Sequence, residues 1–181
     1  MKQTLSEEYR NILIETHKRS GSHKWGHTSN SKYYDMIVEH LRTTDSFEVL
    51  DFGAGWGGLK DRLGREHPEI KVHEYEPARA EVANKPTPRS FVVCTDVFEH
   101  VESEYIDNFF EELAEASTMY GFFTVCMAPA LKVLSDGRNA HLTVEPYEFW
   151  EEKVLRHFDI LKVNQSRLFA DFFVVKKGIK D

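Results

Sequence analysis

The sequence predicts an α/β protein: a three-layer α/β/α sandwich built on a mostly parallel sheet, with an antiparallel C-terminal hairpin strand. Three observations predict it. Short apolar runs alternate with amphipathic stretches, the first run turns through glycines 53, 55, 57 and 58 into a helix, and the last two runs are joined by a link that only a hairpin can use.

The elements follow in chain order. Leu5, Tyr9, Ile12 and Leu13, then Tyr34, Ile37, Val38 and Leu41, recur at helical spacing and give two amphipathic N-terminal helices. A small polar loop from Ser20 to Ser31 separates them, with Trp25 at its centre. Residues 1–45 are read as N-terminal helices and a lid loop packed on a core of residues 46–181, in a single domain. Trp25, Tyr33 and Tyr34 are the aromatic candidates for that lid, with core packing as the alternative for the two tyrosines.

Phe47 to Phe52 is a short buried strand that runs through Gly53-Ala54-Gly55-Trp56-Gly57-Gly58 into a helix ending near Arg65. Ile70 to Tyr75 forms a second strand ending at Glu76-Pro77, Ala78 to Val82 a helical turn, and Lys85-Pro86-Thr87-Pro88 a break. Phe91 to Thr95 is a third apolar run, and Ser103 to Ser117 a helix that places Ile106, Phe109, Phe110 and Leu113 on one face. Gly121 to Met127 supplies a fourth strand and Pro146 to His157 a helix, before the hairpin of Phe158–Val163 and Leu168–Val175.

A chain of 181 residues with 41% hydrophobic content and 13 Phe has enough apolar material for one core, which excludes global disorder. The net charge of -7 argues against duplex nucleic acid as a partner, since the field repels a phosphate backbone. No stretch reaches the ~18 apolar residues of a spanning helix, so no membrane partner and a cytoplasmic location are expected. Cys94 and Cys126 each lie in an apolar run and read as buried free thiols. None of the 9 His forms HxxxH with a supporting acid on one helix face, so no metal site is expected.

The chemistry concentrates where strands end. Glycines between a strand and a helix let backbone N–H groups approach a ligand at the helix N-terminus. Gly53, Gly55 and Gly58 satisfy the dinucleotide pattern GxGxxG, while Asp51, Gly53, Gly55 and Gly57 satisfy DxGxGxG. Asp51 discriminates between them: a carboxylate there repels a pyrophosphate but attracts the ammonium of a methionine moiety. Glu76 lies 19 residues beyond Gly57, at the end of the next strand, where a carboxylate can accept two ribose hydroxyls. Glu74 is the competing acid, two residues earlier on the same face. The third segment, Phe91-Val92-Val93-Cys94-Thr95-Asp96-Val97-Phe98-Glu99-His100-Val101, leads from an apolar strand to the sheet's carboxyl edge, where open α/β sheets bind ligands.

In this order the three segments resemble the nucleotide loop, acidic strand end and "DVLEH"-like motif of class I, Rossmann-like S-adenosylmethionine methyltransferases, over roughly residues 47 to 175. Asp136 to Leu142 with Pro146 and Trp150 looks like a group of small bacterial and phage methyltransferases. The resemblance implies S-adenosylmethionine as cofactor, held by Asp51, Gly53, Ala54, Gly55, Trp56 and Gly57, by Glu76 and Pro77, by Thr95, Asp96 and Val97, and by Trp25 from the lid. It also implies a methyl acceptor, read as a small molecule, with His141 and then His100 as candidates for a general base. One departure is visible: only 14 residues, 77–90, separate Glu76 from Phe91, too few for the family's next helix and strand. That third strand is expected to be shortened or missing, with residues 83–89 covering the adenine instead. Two other readings stand beside this one, a cofactor-binding subunit without turnover and a nicotinamide-dependent oxidoreductase. Oligomeric state has no signature in the sequence.

Overall fold

Alternating apolar runs and amphipathic stretches produce, in the computed structural model, a central sheet covered on both faces. The structure describes residues 2–20 and 27–179. The elements are α1 (Glu7–Ser20), α2 (His27–Thr43), β1 (Glu48–Phe52), α3 (Gly58–Glu66), β2 (Lys71–Tyr75), β3 (Arg89–Thr95), α4 (Ile106–Ala116), β4 (Ser117–Cys126), α5 (Tyr147–His157), β5 (Phe158–Gln165) and β6 (Phe169–Lys176), with short 3-10 turns at Phe98–His100 and Ser103–Tyr105. None of the described helices is long and apolar enough to cross a membrane.

The six strands lie in the order β2-β1-β3-β4-β6-β5. β1 pairs in parallel with β2 and β3, and β3 with β4, while β6 runs antiparallel to both β4 and β5. The chain moves outward from β1 to β2 and then crosses back to lay β3 on the other side of β1. That reversal opens a crevice at the carboxyl ends of β1 and β3. No helix or extra strand occupies residues 76–88, so β2 is the sheet's edge, as the short 77–90 segment predicts.

Pleating sends alternate residues to opposite layers. Leu50, Phe52, Val92, Cys94, Phe123, Val125 and Phe172 pack against α4 and α5 around the fully buried Phe98 and Trp150. Val49, Phe91, Val93 and Phe122 face the other way, against Tyr33, Tyr34, Ile37 and Leu41 of α2 and Leu59 and Leu63 of α3. Truncating a side chain as enclosed as Phe98 to Ala is worth about 3–5 kcal/mol. Both tyrosines named for the lid therefore belong to the core, at 4% and 2% exposure.

α1 lies elsewhere. Its Tyr9, with Leu5, Ile12 and Leu13, packs on Leu134, Ala140 and Leu142 of the long loop after β4. Ser6 starts the helix, accepting from Tyr9 N at 3.0 Å, and donates through both its N and Oγ to the carboxylate of Glu102. The fourth strand begins at Ser117, four residues before Gly121, because β3 extends its pairing from Arg89 to Ser117 on that side.

Candidate active site

At the sheet's carboxyl edge lies a cavity of about 610 Å³, within the range of small-molecule sites. Its floor is the ends of the strands, with Phe52 of β1 and the following Gly53, Tyr75 of β2 and the following Glu76, Thr95 from β3 and Cys126 from β4. Tyr9 and Leu13 of α1, with Leu5 just before it, form one apolar wall, and His141 and Ala140 of the loop after β4 another.

The turn after β1 is shaped by its neighbours. Gly53 has φ 86, and a Cβ there would come within 2.5 Å of Val97 Cγ2, so both the conformation and the contact require glycine. Gly53 N and Ala54 N both donate to Tyr75 O, at 2.8 and 3.0 Å, which ties the turn to the end of β2. The turn after β3 carries Asp96 at φ 52, in the left-handed region that Asp tolerates better than most residues. Thr124 holds it there: Asp96 N donates to Thr124 Oγ1 at 3.0 Å, and Thr124 Oγ1 donates to Asp96 Oδ1 at 2.8 Å.

Glu76 is buried at 8% exposure yet lies on the cavity wall. Its Oε2 accepts from Gly55 N and its Oε1 from Ala78 N, each at 3.0 Å. Burial raises its pKa, and the two amides and Arg79 oppose that rise. Glu74 is engaged differently, by Lys60 Nζ at 2.7 Å and Arg79 Nη1 at 2.9 Å, and does not line the cavity. Asp51 lies deeper, at 2% exposure, and its Oδ2 makes no hydrogen bond among the described residues. Burial, with Glu74 and Glu76 nearby, pushes its pKa up to about 7.

Of the residues assigned from sequence, Gly53, Gly55, Glu76, Pro77, Thr95, Asp96, Val97, His100 and His141 line the cavity. Asp51, Ala54, Trp56 and Gly57 do not; Gly57, with φ 86, caps the start of α3. Trp25 lies outside the described residues. None of residues 83–89 lines the cavity, and the wall beside Pro77 comes from α1, whose Arg10 Nε donates to Pro77 O at 2.9 Å. Cys126 is no core thiol: it is half-buried at the end of β4 and lines the cavity.

Two histidines meet here, with ring centroids 4.9 Å apart at 84°. His100 Nδ1 faces Ala140 O at 2.7 Å and His141 Nδ1 faces Ala128 O, so each Nδ1 donates its proton to a carbonyl. Enclosure lowers the His100 pKa to about 4, and His141 pushes it the same way, so His100 is neutral at physiological pH. Glu99 is wholly buried, accepts from Cys126 N through Oε1 at 3.0 Å, and has no hydrogen-bond partner for Oε2 among the described residues. Ligand atoms of Glu99, Cys126 and His141 all lie within 4.8 Å of one another. The sequence predicts no such set, since its members come from three separated segments with no metal-binding spacing.

No family model matches the chain, and no curated protein sequence does. Solved structures do. The 1,6-didemethyltoxoflavin-N1-methyltransferase of Burkholderia thailandensis, with bound 1,6-didemethyltoxoflavin and S-adenosylhomocysteine, superposes with a TM-score of 0.62 at 13% identity, over 97% of this chain and 93% of that one. The DhpI–SAH complex gives 0.59 at 14% identity, over 96% and 100%. A SAM-dependent methyltransferase from Aquifex aeolicus gives 0.58 at 11% identity, over 90% and 98%. The chain thus shares the Rossmann-like fold of class I methyltransferases, with a mostly parallel sheet and a reversed strand near its C-terminal edge.

Proposed function

We propose that this chain is an S-adenosylmethionine-dependent methyltransferase acting on a small-molecule acceptor. The observation that carries the reading is Glu76, a buried carboxylate on the cavity wall at the end of β2, bonded to the glycine turn through Gly55 N. A ribose needs two acceptor oxygens at this place, and each Glu76 oxygen keeps a lone pair beyond its amide bond. Asp51 fits the other half of the ligand, because its unmatched Oδ2 offers negative charge to an ammonium, directly or through water. The fold neighbours with bound S-adenosylhomocysteine, one of them also holding a small acceptor, support both cofactor and acceptor class.

When bound, S-adenosylmethionine supplies a methyl group activated on a sulfonium. In-line displacement at such a carbon asks the protein mainly for alignment and exclusion of water. Gly53 and Gly55 let the backbone approach, Thr95, Asp96 and Val97 form the wall at the methyl-donor end, and Leu5, Tyr9 and Leu13 shield the other side. His141 is the side chain that meets the acceptor, and neutral His100 fixes it through their ring contact.

Titration calorimetry with S-adenosylhomocysteine, S-adenosylmethionine and NAD tests the reading. The first two are expected to bind, with Glu76→Ala weakening both. Tight NAD binding with no response to the adenosyl sulfur compounds overturns it. Methyl transfer from labelled cofactor into small-molecule pools separates an enzyme from a subunit that only binds.

A further inference from the structure

We propose that Glu99, Cys126 and His141 form a binding site for a zinc-class divalent cation at the acceptor end of the cavity, with an open position that takes a thiol or hydroxyl of the acceptor. That this is the acceptor end rests on the methyltransferase reading; the site itself rests on geometry.

The three ligand atoms come from rigid and distinct places: the 3-10 turn after β3, the last residue of β4, and the loop that follows it. Carboxylate, thiolate and imidazole form a donor set suited to zinc, and three protein ligands with one open position is the arrangement of a reactive rather than a structural site. Two anionic ligands would balance a divalent charge in a pocket where an isolated ion is costly.

Independent features point the same way. Glu99 Oε2 is fully enclosed with no hydrogen-bond partner among the described residues, on a carboxylate that lines the cavity. The His141 ring is held by its Nδ1–H bond to Ala128 O, which assigns the metal to Nε2, as in metal-bound histidines that donate their other nitrogen to a carbonyl. Asn139 fixes the loop, its Oδ1 accepting from Ala130 N and His141 N at 2.9 Å each and its Nδ2 donating to Ala130 O at 2.9 Å. Ligand atoms in a tetrahedral zinc site with bonds of about 2.0–2.3 Å stand about 3.5 Å apart, so the present cluster closes by side-chain rotation of about an ångström.

A cation there would bind the acceptor's oxygen or sulfur and favour loss of its proton to solvent, as a metal does for bound water. The deprotonated atom is then the nucleophile that forms a bond to the methyl carbon while the carbon–sulfonium bond breaks and its electron pair returns to sulfur.

The test is metal binding by the purified full-length chain, stripped with a chelator and titrated with zinc against a chromophoric competitor. One equivalent is expected, and Cys126→Ser and Glu99→Gln should each weaken it on the order of 100-fold. Cobalt(II) in place of zinc should show a thiolate-to-metal charge-transfer band that Cys126→Ser removes. His141→Ala, on a loop outside the sheet, gives the same loss of affinity should a cluster variant inside the fold fail to fold. Absence of stoichiometric zinc, or zinc affinity unchanged in Cys126→Ser and His141→Ala, overturns the proposal. S-adenosylhomocysteine titrated into the same samples keeps the two readings apart: adenosyl binding without zinc sinks only the metal site, and zinc binding without adenosyl binding sinks only the cofactor assignment.

Discussion

The two ends of the cavity are built by opposite means. At the β1–β2 end, much of the contact surface is backbone from one glycine turn: Gly53, the Gly55 amide, and the Glu76 carboxylate bound to that amide from the next strand end. At the β4 end, Glu99, Cys126 and His141 come from three segments and meet only because β3 and β4 pair in parallel and the following loop folds back over their ends. Backbone recognition leaves a local glycine signature, whereas side-chain recognition across segments leaves none.

Four experiments sharpen this contrast. The largest effect is expected at Asp51. Its folded-state pKa of about 7 lies above the ordinary 3.8, so between those values the folded chain holds a proton that the unfolded chain has lost. The contribution of Asp51 to the stability of the ligand-free protein should therefore be full below pH 4 and be lost, about 4 kcal/mol in all, as pH rises from 4 through 7, followed by denaturant melts of parent and variant. Asp51→Asn should flatten that fall and weaken S-adenosylhomocysteine at the same time. A variant that binds as tightly as the parent would break the link between buried charge and cofactor.

Gly53→Ala comes next. A left-handed conformation and a 2.5 Å approach to Val97 together should cost about 3 kcal/mol in thermal melts. Pairing it with Val97→Ala should return part of that loss, which a purely conformational cost would not allow. Glu76→Gln is expected to cost about 2 kcal/mol of adenosyl affinity, about thirtyfold, with the fold intact. The smallest effect falls on the apolar wall: Arg10→Ala removes the bond to Pro77 O and should change adenosyl affinity by less than about 1 kcal/mol while speeding ligand exchange in stopped flow.

The mostly parallel sheet and its closing hairpin were legible because strand, glycine turn and helix recur locally, and the 77–90 segment is visibly too short for another crossover; the strand order was not. The strand-end position of Glu76 was legible for the same reason, and that position lines the cavity. Tertiary placement was not. Tyr33 and Tyr34 share the helical period of Ile37 and Leu41, and that period marks an apolar face without saying whether a sheet or a ligand covers it. Leu5, Tyr9 and Leu13 have the same pattern and line the cavity. Cys126 ends an apolar run, and only its position as the last residue of β4 at the carboxyl edge separates it from core Cys94.

The shortened link after β2 carries a cost of its own, since a sheet that stops there leaves a row of peptide groups with no strand beside it. Glu48 lies within 3.3 Å of both His73 and Arg89, and within 3.8 Å of Lys71, so a band of charge spans the three strands at that margin. Another chain laying itself along β2 would have to strip water from that band. Lys71, on the edge strand itself, is the kind of charged residue that makes strand-to-strand pairing at an open margin costly.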